Sequence, residues 1–130
     1  MVMKESTLQV HVADYIRLQY PKVLFHSDFG SGIKLTPGQA TRQKRQNGGR
    51  RAWPDMFIAE PRNGKAGLFI ELKRDGARVL KRDGSLVADP HIREQNEILC
   101  ELAKRGYSAW FAVGFDQAKE IIDNYLRGKK

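Results

Sequence analysis

Leu68-Phe69-Ile70-Glu71-Leu72-Lys73 is the stretch that most narrows the folds open to this chain. Its near-continuous apolar run is how a strand buried on both faces reads. Met56-Phe57-Ile58-Ala59 precedes it across the turn-forming segment Pro61-Arg62-Asn63-Gly64, so the two are expected to pair as a hairpin. Downstream, Asp89-Pro90 opens a helix through Ile92, Gln95, Leu99 and Leu102 to Gly106, and Ala109-Trp110-Phe111-Ala112-Val113 follows as a strand. A strand, helix, strand crossover between residues 68 and 113 favours parallel pairing of its two strands. A hairpin joined to such a crossover predicts a mixed sheet flanked by helices, an α/β fold.

The flanking segments extend that pattern. Leu8, Val12, Tyr15 and Ile16 recur at helical spacing before Pro21, so residues 5–19 read as an amphipathic helix. Glu5 lies on the ridge that continues through Leu8 and Val12 and is expected to face the core side. Val23-Leu24-Phe25 is a short β-like run. Thr36-Pro37 resembles a helix start and Gly48-Gly49 a stop. Residues 79–87 form a second hairpin candidate, with Asp83-Gly84 as a tight two-residue turn. A last helix is expected from Asp116 to about Leu126. The element order is therefore α-β-(α)-β-β-α-β-α.

At 130 residues and 14.8 kDa, with 41% hydrophobic residues, the chain has the size and core of one domain, taken as residues 1–130. Twenty-three Lys and Arg against 15 Asp and Glu give a formal charge of +8, which attracts polyanions and puts nucleic acid first among partners. The single cysteine, Cys100, cannot form an internal disulfide, and its apolar helical setting reads as core. No apolar stretch reaches the length of a membrane span. Residues 1–20 mix Lys4, Glu5, His11, Asp14 and Arg17 through the apolar positions, unlike a signal peptide. A soluble, cytoplasmic protein is the expectation.

Chemistry is expected where charge meets the apolar strand. Side chains alternate along a strand, so Glu71 and Lys73 share one face while Ile70 and Leu72 occupy the other. Charged groups on a central strand are rarely kept unless paired, bound to metal or used. An acid-x-lysine triplet is by itself expected about once by chance in a chain of this composition, so the neighbours decide. Asp55 stands at the entry of the preceding strand, and hairpin pairing brings its carboxylate beside Glu71 as hard oxygen ligands suited to Mg²⁺ or Mn²⁺. Phosphodiester hydrolysis needs an activated water, a polarised phosphoryl group and a stabilised leaving oxygen. Metal held by Asp55 and Glu71 serves the last two needs, and Lys73 the first or the transition-state charge. An ordinary Glu–Lys surface pair on an edge strand is the plainer alternative.

Pro54-Asp55, Glu71-Leu72-Lys73 beginning sixteen residues after Asp55, and a Gln on the next helix resemble the PD-(D/E)xK nuclease pattern. More narrowly, the chain resembles a stand-alone VRR-NUC domain, of the virus-type replication-repair nuclease family. The resemblance covers nearly the whole chain: Glu5 on the first helix, the basic helix before Pro54-Asp55, the Glu-x-Lys strand, and Gln95 followed by Leu99 and Gly106. It implies a restriction-endonuclease-like core with Asp55, Glu71 and the Leu72 backbone carbonyl as metal ligands. Lys73 would be the catalytic lysine, and Glu5 and Gln95 supporting active-site residues. It further implies a metal-dependent endonuclease acting on branched DNA, including four-way junctions, as a homodimer in a bacterial or phage-infected cell. Two departures stand out. Arg51-Ala52-Trp53 replaces a glycine commonly found before Pro-Asp, and residues 75–90 are expanded by the extra hairpin.

Lys34, Arg42, Lys44, Arg45, Arg50 and Arg51 form an acid-free basic stretch, read as phosphate contacts beside such a centre or as a solvated face. Trp53 has two readings, stacking on a base or packing in the core. His11, His26 and His91 lack the close pairings of a zinc site. Two other functions fit the same residues: a flap-type or exonucleolytic repair nuclease, and a non-catalytic basic DNA-binding module.

Overall fold

The computed structural model describes residues 3–28 and 35–128, so Lys34 lies outside the described residues. Helix α1 (Glu5–Gln19) comes first, then strand β1 (Phe25–Ser27) and helix α2 (Pro37–Gln46). Strands β2 (Met56–Ile58) and β3 (Leu68–Lys73) follow, then helix α3 (Pro90–Lys104), strand β4 (Ser108–Val113) and helix α4 (Gly114–Arg127). The four strands form one sheet in the order β1-β2-β3-β4. Both pairings of β2 are antiparallel, and β3 pairs with β4 in parallel, so the sheet is mixed and β3 is interior.

One face of the sheet carries the main core. Leu8, Val12 and Ile16 of α1 and Ala118 and Ile122 of α4 pack on Met56, Ile58, Leu68, Ile70, Leu72 and Ala112. The i, i+4 spacing of the α1 residues aims them at one side of their helix. Tyr15 and Tyr20 both donate to Asp123 Oδ1 at 2.6 Å, a polar clasp between the end of α1 and α4. The opposite face is smaller: Ile98 and Leu102 of α3 close over Ala52, Phe69, Tyr107 and Ala109. Phe57 and Phe69, directly opposite across β2 and β3, stack with ring centroids 4.3 Å apart.

The helix boundaries follow local chemistry. Thr36 and Gln39 form a reciprocal capping box at the start of α2, and the Asp89 carboxylate accepts the N–H groups of His91 and Ile92 at the start of α3. Gly114 links β4 directly to α4 at φ 83°, and a Cβ there would lie 2.2 Å from Asp75 Oδ1.

Three expectations need correction. Cys100 is exposed, because α3 buries the ridge Ile92, Gln95, Ile98, Leu99 and Leu102, and position 100 turns away from it. The first strand begins at Phe25 rather than Val23, although the Leu24 carbonyl still accepts the Ala59 N–H at 2.8 Å. The second hairpin is reduced to a single bridge between Leu80 and Leu86. Its turn is a three-residue loop closed by the Lys81 N–H to the Ser85 carbonyl, with Gly84 at φ 87° and Asp83 outside the positive-φ region.

Candidate active site

Asp55 sits just ahead of β2 and is buried. Its carboxylate accepts the Leu72 backbone N–H at 2.7 Å, and its own carbonyl accepts the Asp28 N–H at 2.7 Å. Carrying the Met56–Ile70 register two residues further sets Pro54 opposite Leu72. Proline has no N–H, so the backbone ladder cannot continue to the Leu72 carbonyl. The Asp55 side chain takes over the donor side of Leu72. The Pro-Asp pair thus ends the β2–β3 ladder and brings a carboxylate to β3.

Glu71 and Lys73 alternate with Ile70 and Leu72, so they face away from the main core. Both are buried, at 3% and 7% exposure. From α3, Gln95 Nε2 donates to Glu71 Oε2 at 2.9 Å. Glu71 Oε1 and Gln95 Oε1 are buried without a hydrogen-bond partner. Burial pushes the Glu71 carboxyl up to about 10, reinforced by the Asp55 charge and a hydrogen bond shared with Asp55. Lys73 pulls it down, and Glu5 adds to the rise. Two acids so close in a dry site cannot both carry full charge, so one keeps a proton.

Glu5, Asp55, Glu71, Lys73 and Gln95 line one cleft of about 270 Å³. All five expected residues therefore meet, although they come from α1, the entry of β2, β3 and α3. Asp28 and His91 also line the cleft and were missed. His91 carries a spacing signal, one helical turn before Gln95, whereas Asp28 comes beside Asp55 only through the pairing of Ser27 with Met56.

The basic residues divide. Arg51 lines the same cleft, and Lys44, Arg50 and Arg51 line an adjoining cavity of about 400 Å³. Arg42 and Arg45 are exposed on α2, a helix with no buried residue. Arg50 donates to Glu101 at 2.7 Å and holds that carboxyl below the usual range. Trp53 is 39% exposed at the rim of the cleft, so it is not a core residue.

Whether these groups fit a metal can be judged from the donors. Among the described residues, no three His, Cys, Asp or Glu side chains converge on one point. Mg²⁺ asks for less than that, since it keeps several waters and takes one or two carboxylates. A buried carboxylate oxygen without a donor, beside a second acid that forces a proton into the site, is a donor set that a cation would satisfy. Hard oxygen donors favour Mg²⁺ or Mn²⁺ over softer metals.

No family model matches this sequence, and no curated protein matches it. Among solved structures, the chain is similar to one described as a "VRR_NUC domain protein", with 26% sequence identity and a TM-score of 0.69. The similarity covers 96% of this chain and 89% of that one. It therefore takes in the sheet, its helices on both faces and every element that contributes to the cleft. With the mixed sheet and the Pro-Asp, Glu-x-Lys and Gln positions in one place, the chain is similar to a VRR-NUC domain over nearly its whole length and has the restriction-endonuclease-like α/β fold.

Proposed function

We propose that the chain is a Mg²⁺- or Mn²⁺-dependent deoxyribonuclease that cuts phosphodiester bonds in branched DNA, with four-way junctions as the preferred substrate. The observation that carries this reading is the buried cluster of Asp55, Glu71, Lys73 and Gln95 opening on a cleft edged by Arg51. A solvated ion pair would not bury two acids and a lysine together, because unpaired burial of charge is costly. Nor does a purely DNA-binding module need two carboxylates facing phosphate.

Asp55, Glu71 and the Leu72 carbonyl would hold the metal. Bound there, it would polarise the scissile phosphoryl group and neutralise charge on the leaving oxygen. The chain's own residues do the remaining work. Asp55 stays oriented because the Leu72 N–H holds one of its oxygens. Gln95 fixes the Glu71 carboxylate by its amide hydrogen bond. Lys73 orients the attacking water and places positive charge beside the phosphoryl group. Glu5 contributes a further carboxylate at the cleft wall, and Arg51, Lys44 and Arg50 contact phosphates on the approach.

A homodimer accompanies this reading, since symmetric cutting of a four-way junction needs two sites related by a two-fold axis. Among the described residues no helix is long and apolar enough to cross a membrane. The test is a panel of labelled substrates: a four-way junction, a flap, a duplex and a single strand, each with Mg²⁺ or Mn²⁺. Paired cuts near the junction centre are expected. Cleavage confined to the flap or trimming from strand ends would replace the junction preference, and no metal-dependent product on any substrate would reject the nuclease reading.

A further inference from the structure

Trp53 has a place that the reaction above does not use. It lines the catalytic cleft together with Asp55 and Glu71, and it also forms one wall of a second cavity of about 210 Å³. That side pocket is bounded by Arg50, Ile98, Glu101, Leu102 and Arg105. Indole Nε1 donates to the Asn47 carbonyl at 3.2 Å, which fixes the plane of the ring. Its contact with Phe69 is tilted by 52° at 6.3 Å between centroids, so no aromatic side chain of that pair stacks flat on it.

The pocket has an apolar wall in Ile98 and Leu102 and a charged mouth. Glu101 ties to Arg50 at 2.7 Å and to Arg105 at 3.7 Å. Its volume lies below the roughly 300–1,000 Å³ of sites for drug-sized ligands and suits one planar ring system. An indole held in plane, an apolar wall, and two guanidiniums with a carboxylate at the mouth are what an unstacked nucleobase and its phosphate require. Trp53 lines both cavities, so a base received there would lie beside the catalytic cleft.

We infer that Trp53 and the Arg50–Glu101–Arg105 pocket receive an unpaired nucleobase of the DNA substrate beside the cleavage site. Trp53 is the stacking platform, and the ion-paired rim takes the polar edge of the base and the adjoining phosphate. The chain thereby reads a defect in base pairing rather than a sequence, because every base offers a π-face. This inference rests on the nuclease reading and deepens it by specifying the local structure of the substrate.

The test uses Trp110→Phe full-length protein, which leaves Trp53 as the sole tryptophan of the two in the sequence. Its emission is followed while two duplexes are titrated in with Ca²⁺ replacing Mg²⁺: one with a single bulged adenine, the other fully paired. Quenching on the bulged duplex beyond that on the paired one is expected. In the same background, dissociation constants of Trp53→Ala and Trp53→Phe come from labelled DNA. Trp53→Ala should bind the bulged duplex roughly tenfold more weakly, and Trp53→Phe, which keeps a ring against Phe69, should retain most of the affinity. Equal affinity of Trp53→Ala and its parent for the bulged duplex, with no emission change, overturns the inference while leaving the nuclease reading intact. A Trp53 signal that follows protein concentration without DNA assigns the pocket to a second copy and also overturns it. Failure to bind either duplex also overturns this inference, and the nuclease reading is then judged separately by cleavage of the four-way junction.

Discussion

The Gln95 side-chain amide donates to the Glu71 carboxylate at 2.9 Å, joining α3 to the buried strand β3. One acid of the cleft is thereby held by a residue outside the sheet, and the orientation of Glu71 depends on how α3 packs. Ile98 and Leu102, one and two turns further along the same ridge, set that packing.

Gln95→Leu keeps the apolar volume but removes the donor to Glu71. Loss of such a supporting hydrogen bond costs roughly 10- to 100-fold in metal affinity or activity. Calorimetric titration with Mn²⁺ and cleavage rates measured on the same preparation should both fall within that range. Wild-type values for both would remove Gln95 from the site.

Asp55 has a structural duty separable from its charge. Asp55→Ala leaves the buried Leu72 N–H without its acceptor, at a cost of about 1–3 kcal/mol. Asp55→Asn keeps an oxygen there and should unfold in urea close to wild type, yet be inactive. Equal stability of the Ala and Asn variants would show that the hydrogen bond does not hold β2 to β3.

The parts of this arrangement written in sequence are those with local periodicity. The apolar run of β3, the spacing of Leu8, Val12 and Ile16, and the capping chemistry of Thr36 and Asp89 each specify their element without help from distant residues. The meeting of Asp55 and Glu71 was legible too, because antiparallel pairing of these consecutive strands sets the residue before β2 beside the far end of β3. Asp28 and His91 were not read as cleft residues, since their placement depends on the β1–β2 register and on the rotation of α3, both set by tertiary packing. Cys100 reversed its expected burial, and Trp53, open to stacking or packing, lies at the cleft rim, for the same reason: an apolar residue shows its character in sequence but not which side of its element meets the core.

Cys100 gives a direct check of that rotation. Exposed on α3, it should react with a thiol reagent in the native protein at close to the rate seen in denaturant. Protection that disappears only on unfolding would mean that α3 is turned differently and that Gln95 does not face Glu71.

Asp123 sets the acid limb of stability. Burial raises its carboxyl, but hydrogen bonds from Tyr15, Tyr20 and Lys119 outweigh that and leave it below the usual value. A depressed folded-state value contributes stability that is present above the unfolded value of about 3.9 and lost as pH falls through the folded one. Tyr20 is raised by burial and by its hydrogen bond to Asp123, so its contribution is complete at neutral pH and lost on strong alkalisation. Urea unfolding from pH 2 to 7 should show a shallower acid limb for Asp123→Asn than for wild type. Superimposable limbs would contradict the assignment.

Gly114→Ala tests the corner where β4 becomes α4. A side chain at φ 83° is strained, and the added Cβ would collide with Asp75, two residues beyond Lys73. A loss of about 1–3 kcal/mol is expected by urea unfolding. Gly114→Ala in an Asp75→Ala background should recover part of it, and no recovery would mean that the contact with Asp75 is unimportant.

The most direct measurement is single-turnover cleavage of a labelled four-way junction by wild type, Asp55→Asn, Glu71→Gln and Lys73→Ala, with Mg²⁺, Mn²⁺ or EDTA. Cleavage by wild type should require the metal, and each variant should be slower by at least roughly a hundredfold while still binding the junction. Cleavage that persists in EDTA, or a Glu71→Gln or Lys73→Ala protein as fast as wild type, would contradict a metal-dependent centre built on these residues.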